Sequence, residues 1–159
     1  MQVRIIAVGK IKERFLSDGI AEYEKRLVPY LKLSITEIAE ERRGVHASAS
    51  QEQHAKEKEG ERILAAIPEG TYVVVLDIRG TELASEALAA RLRSLQLAGT
   101  PSVTVIIGGD LGLSDAVLGR AALRLSLSPM TFTHQMARLI LMEQLYRACR
   151  INSGEPYHK

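Results

Sequence analysis

Residues 103–113 read VTVIIGGDLGL. The first five are all β-branched, an apolar run without alternation, as in a strand covered on both faces. Gly108 and Gly109 then let the backbone turn sharply, and Ser114 stands where it can cap a short following helix. Strand, glycine turn and helix in succession predict an α/β layer fold. Outward from this stretch the same rhythm repeats. YVVVLDI (residues 72–78) is a second buried strand, and QVRIIAV (2–8) is a third that ends at Gly9. LKLSITEI (31–38) alternates apolar and polar residues, as a half-buried strand does, and LRLSL (123–127) reads as a fifth.

Helical spacing separates these strands. Ile11, Phe15, Leu16, Ile20, Tyr23 and Leu27 recur on one helical face, and Pro29 marks that helix's end. Residues 39–60 are polar, opening as a loop and becoming a charged helix to about Ala66, before Pro68 and Gly70. This is the segment expected to be mobile. A helix starts at Ser85-Glu86 and runs to about Leu97, and the last spans His134 to about Ile151. The prediction is one domain, residues 1–159, with a mainly parallel sheet and helices on both faces. Ligands in such sheets bind beyond the carboxyl ends of the strands. The loops after Ile78, Ile107 and Leu127 are therefore the candidates.

Composition narrows the function. Apolar residues make up 46% and charged residues 25%, ordinary for a globular chain. Aromatics are only 4%, which disfavours a protein that stacks many RNA bases. Cys149 is the single cysteine, so no internal disulfide forms, and its apolar helical setting reads as core. The N-terminal MQVRIIAVGK lacks a signal-peptide cleavage pattern, and no apolar run approaches the ~20 residues of a membrane span. A cytoplasmic protein without a membrane partner is expected. His46, His54, His134 and His158 show no paired ligand spacing, so no metal is expected. Charge is uneven. Residues 1–115 carry 15 Lys+Arg against 17 Asp+Glu, a balance of −2, and residues 116–159 carry 6 against 2, a balance of +4. The basic end could face phosphate, or could simply be a solvated helix face.

Four constellations could carry chemistry. IIGGDLGL (106–113) is a glycine turn without the spacing of a dinucleotide loop or a P-loop, and alone supports only a small ligand at Gly108–Gly112. LSPMTFTHQMAR (127–138) is a polar loop whose backbone could read an adenine ring, or a plain loop with Thr133 as a cap. HQMARLILMEQLYRACRI (134–151) is apolar on more than one face, fitting a core helix or one at a subunit interface. Its Glu143 and Arg147 stand at i, i+4 and can pair. NSGEPYHK (152–159) ends on a stiff Pro156 followed by Tyr157, His158 and Lys159. Those three could stack on a base, move a proton and meet a phosphate.

Taken in order, these motifs resemble the ribosomal large subunit methyltransferase H family, which belongs to the knotted SPOUT methyltransferases. The resemblance rests on Gly-Gly-x-x-Gly (108–112), L-S-x-x-T-F-x-H-Q (127–135), E-Q-x-Y-R-A (143–148) and P-Y-H-K (156–159). It extends to I-x-A-V-G-K (5–10), A-E-Y-E-K-R-L (21–27) and K-E-K-E-G (56–60), and so spans essentially the whole chain. It implies a C-terminal trefoil knot, an exception to the rule against knots. It also implies S-adenosyl-L-methionine as cofactor, bound by Leu76, by Gly108, Gly109 and Gly112, and by Leu127, Ser128, Pro129, Met130, Thr131 and Phe132. Further, it implies a homodimer whose sites are completed by the partner's tail. The substrate implied is a pseudouridine in a stem-loop of 23S rRNA, methylated at N3 on the assembled ribosome. The catalytic candidates that follow are His158, Arg147, Tyr157, Lys159 and Glu143. Two positions depart from the family pattern: Thr133 stands where proline is expected, and Lys159 where some relatives have arginine. The alternatives are a SPOUT enzyme for another rRNA or tRNA position, or a non-catalytic ribosome-binding factor.

Overall fold

The structure is a computed structural model, and it describes residues 1–157. Its strands are β1 (Gln2–Val8), β2 (Lys32–Ile38), β3 (Tyr72–Glu82), β4 (Ser102–Ile107) and β5 (Leu123–Ser126). Its helices are α1 (Arg14–Leu27), α2 (Ala49–Ala66), α3 (Ser85–Leu97), α4 (Asp115–Gly119) and α5 (His134–Asn152). The strands form one sheet in the order β2-β1-β4-β3-β5, with every pair parallel.

Strand alternation splits the core in two. Val3, Ile5 and Ala7 of β1 and Val103, Val105 and Ile107 of β4 face one side, where α1, α3 and α5 cover them. Ile6 and Val8, Ile106, and Val73 and Val75 of β3 face the other, under Ile63 of α2 and Val117 of α4. Side chains that alternate between two covered faces must be apolar on both, which is why these strands read as unbroken apolar runs.

The connections share one hand. β1–α1–β2 and β3–α3–β4 step one way along the sheet with the helix on the first face. β2–α2–β3 and β4–α4–β5 step the other way with the helix on the second face. Reversing direction and face together preserves handedness, as the crossover rule demands. α5 leads to no further strand. It lies against both α1 and α3 and buries Leu141, Met142, Leu145 and Ala148.

Two boundaries differ from the sequence reading. The first helix starts at Arg14 rather than Ile11. Gly9 turns at φ 83°, and the Lys12 amide donates to Gln135 Oε1 at 2.8 Å, so residues 10–13 stay extended towards α5. β3 continues past Ile78 to Glu82 because residues 77–80 bulge out and Thr81 and Glu82 rejoin β5. Asp77, Arg79 and Gly80 hide that continuation, since none is a strand former. A Cβ at Gly80 would lie 2.6 Å from the Arg124 carbonyl group, so the bulge needs glycine there. The polar segment after residue 39 becomes a helix from Ala49 to Ala66, started by a capping box between Ser48 and Gln51.

Candidate functional site

The loop after β3 leads to a helix on one face and the loop after β4 to a helix on the other. Between two such strands a crevice opens at the carboxyl edge. To reach α5, the chain leaving β5 crosses above that crevice. Three loops therefore meet around one cleft of about 160 Å³.

Each wall has a local cause. Gly112 sits at φ 77°, where an L side chain is strained, and its amide donates to the Gly109 carbonyl at 3.1 Å. A Cβ at Gly108 would lie 2.9 Å from the Gly112 carbonyl carbon and oxygen. The turn thus presents bare backbone to the cleft, and no side chain fits at its first position. The loop over the cleft is pinned from within: Ser126 Oγ donates to the Ser128 carbonyl at 3.1 Å, and Ser128 Oγ accepts the Met130 amide at 3.0 Å. Thr133 then caps α5 by accepting the Met136 amide at 3.2 Å. Its φ is −60°, the value proline enforces, so the departure at this position keeps the loop's path and adds a cap.

Of the cofactor candidates, Leu76, Gly108, Gly109, Gly112, Leu127, Ser128, Met130, Thr131 and Phe132 all line this cleft. Pro129 lies between lining residues without lining it. The sequence reading missed Asp77, Leu113, Leu125, His134 and Ala137, which also line the cleft. Asp77 carried a signal, a charge closing an apolar run at a strand's carboxyl end. Burial raises its pKa, but hydrogen bonds from Arg124 (Nε at 2.8 Å) and from the Arg79 amide outweigh this, holding the carboxyl below the usual range. Met130 and Ile78 stand exposed at the mouth, 73% and 53% accessible.

The catalytic candidates gather elsewhere. Arg147 Nε and Nη2 donate to Glu143 Oε1 at 3.0 and 2.6 Å, and Tyr157 donates to the same oxygen at 3.3 Å. The Arg147 guanidinium lies 4.8 Å from the centre of the Tyr157 ring, which packs edge-on against Tyr146. Burial, with Tyr23 and Glu143 nearby, pushes the Tyr157 phenol up to about 12, so it stays neutral. None of these three lines the cleft. Ala137 does, and Arg147 is ten residues farther along α5, about 15 Å at helical rise. His158 and Lys159 lie outside the described residues.

A second, wider groove opens beside the glycine turn, lined among others by Lys10, Lys12, Glu37, Arg42, Arg43 and Asp110. Its charges partly satisfy one another: Arg43 pairs with Asp110 and holds that carboxyl low. Arg138, 2% exposed, anchors its floor by donating to the Gly9 carbonyl at 2.9 Å and to Glu37 at 2.7 Å. The smaller cleft is the better ligand site, because it offers apolar walls and bare backbone where polar edges can be read. Among the described residues no group of His, Cys, Asp or Glu could hold a metal ion, and no helix is long and apolar enough to cross a membrane. Burial pushes the Cys149 thiol up to about 11, as befits a core thiol.

A family model described as "Predicted SPOUT methyltransferase" matches residues 1–158. A protein of Methanoregula boonei is 77% identical over the full length of both chains. Proteins of Halothermothrix orenii and Bifidobacterium adolescentis, each named "Ribosomal RNA large subunit methyltransferase H", are both 53% identical over the full length of both. Among solved structures, a methylase family protein from Haemophilus influenzae aligns with a TM-score of 0.55 at 12% identity, covering 99% of this chain and 70% of that one. A Legionella pneumophila protein, solved in complex with the cofactor SAM, aligns at 0.52 and 14% identity, covering 93% and 66%. At such identities the structural likeness is one of fold.

Proposed function

The chain belongs to the SPOUT methyltransferase family, and from that premise we propose that it methylates N3 of a pseudouridine in 23S rRNA, on the assembled ribosome, with S-adenosyl-L-methionine as donor. The observation that carries this reading is the convergence of three loops on one cleft floored by a glycine cradle, in a chain alignable end to end with relatives named as ribosomal RNA large subunit methyltransferases. The cleft suits such a donor. Leu76, Leu127 and Phe132 offer apolar contact to an aromatic base, and the bare turn at Gly108–Gly112 admits close backbone approach. When bound, the cofactor supplies an electrophilic methyl on a sulfonium. The trefoil knot implied by the family is part of this proposal.

The chain's own task is to position the nucleotide and manage charge. An imide N3 must lose its proton to become a good nucleophile. Arg147, held by two hydrogen bonds to Glu143, presents a fixed cation that favours the resulting anion. Glu143 orients Arg147, and Tyr157 backs both. His158 assists proton removal, and Lys159 meets a phosphate. Because the Arg147 cluster and the cleft are separate within one chain, we assign the working form to a homodimer in which one copy's tail completes the other's cleft. Recognition then depends on ribosome shape more than on the small basic excess, in the cytoplasm where ribosomes are.

Mass mapping of 23S rRNA from a deletion strain, with this chain added back, tests the reading. Restoration of one methyl on a pseudouridine is expected; restoration on another RNA, or on none, would sink it. His158→Ala should bind S-adenosylmethionine normally and turn over at least about tenfold more slowly. Unchanged turnover removes His158 from the mechanism.

A further inference from the structure

The motif KEKEG (56–60) takes no part in the cleft or in the tail cluster, yet it buries a carboxylic acid. Glu59 is 2% exposed. Its Oε1 accepts the Glu41 backbone amide at 3.0 Å. Its Oε2 is enclosed and has no hydrogen-bond partner among the described residues. A Cβ placed on Gly109 would lie 3.8 Å from that oxygen and 3.1 Å from Val8 Cγ1. Oε2 therefore abuts the underside of the glycine turn. The neighbouring Gly60 lets α2 lie directly on Ser114, the N-cap of α4; a Cβ there would collide with the Ser114 hydroxyl. The two residues grip the turn at both ends, Glu59 beneath its entry and Gly60 at the helix that leaves it. An interior apolar residue would fill the space at less cost than an acid, so the acid calls for a polar reason.

This inference rests on reading the cleft as the cofactor site. We propose that Glu59 is a positioning residue for that cofactor: anchored by the Glu41 amide, its carboxyl braces the Gly108–Gly112 turn from below and so sets cofactor affinity. The charged groups facing it are Asp110 on the turn, Glu40 on the β2–α2 loop, and Arg43 on the same loop, already paired to Asp110. Burial raises the acid's pKa most, Asp110 and Glu40 add to this, and the Glu41 amide and Arg43 only partly oppose them. The neutral acid is the form that suits an enclosed, unpartnered Oε2. Ionisation puts a buried charge beneath the turn, so the brace works best at low pH and weakens as pH rises through the raised value.

Calorimetric titration of the full chain with S-adenosylmethionine, from about pH 5 to about pH 9, tests this in the wild type, Glu59→Gln and Glu59→Ala. Gln keeps the acceptor for the Glu41 amide and places an uncharged NH2 at Oε2. The wild type should lose affinity with rising pH relative to Glu59→Gln, which stays within about twofold of the wild type's low-pH value. Glu59→Ala should bind about tenfold more weakly throughout. Amide hydrogen exchange without cofactor should show residues 108–113 less protected in Glu59→Ala and restored in Glu59→Gln. Parallel pH curves for wild type and Glu59→Gln, or full affinity in Glu59→Ala, overturn the role of Glu59 alone. A wild-type chain that binds no S-adenosylmethionine at any pH overturns both this role and the cofactor reading.

Discussion

A single methyl group at Gly108 would strike the Gly112 carbonyl, which is backbone and cannot swing aside. Gly108→Ala should therefore reshape the turn, costing about 1–3 kcal/mol in urea unfolding and weakening S-adenosylmethionine binding about tenfold or more in calorimetry. Asp77 makes a prediction in pH. Its folded-state pKa lies below the ordinary value of about 3.9. The stability it contributes is thus present above that value and lost as pH falls through the lower folded one. The advantage of the wild type over Asp77→Asn in urea unfolding should be full at neutral pH and shrink in that acid window. At this scale the sequence spoke unevenly. The glycines were legible because the turn chemistry demands them. Asp77 showed only as a charge closing an apolar run, and His134 and Ala137 showed no signal, because lining the cleft depends on where three distant loops meet. Buried Glu59 and Arg138 were illegible too, since a charged side chain on a helix reads as solvated until its neighbours are known.

At the scale of elements, α5 is the keystone. It is packed by α1 and α3 on either side, and Met142 at its centre is fully buried. Met142→Ala should cost about 2–5 kcal/mol in chemical denaturation, and a loss under about 1 kcal/mol would show that the slot between α1 and α3 is not tightly filled. Strand and helix types were readable throughout, because periods of 2 and 3.6 are local properties of the chain. The errors fell where tertiary contacts override local preference. Ile11 continues the helical spacing, yet the chain there is drawn out to Gln135. The break at Asp77–Gly80 looked like a strand's end, yet β5 takes β3 up again at Thr81.

At the scale of the whole molecule, the cleft and the Arg147 cluster occupy different regions of one chain, and the proposed homodimer unites them. Mixing two inactive variants tests this. A Gly108→Val chain lacks a working cleft, and an Arg147→Ala chain lacks the cation that α5 holds beside the tail. Refolded together in equal amounts, they should recover about a quarter of wild-type methyl transfer, since half the dimers form with one intact composite site each. No recovery would confine each active site to a single chain.

The sequence by itself determined the layered α/β class, the five strands, the glycine turn and the family, because each is written in local periodicity or in motifs of adjacent residues. Only the tertiary structure decided the strand order β2-β1-β4-β3-β5, and with it which loop ends share a crevice. The physical reason is that parallel strands are joined through helices, so neighbours in the sheet need not be neighbours in the chain. The same separation placed Glu59 beneath Gly109 and kept Arg147 away from the cleft on its own helix.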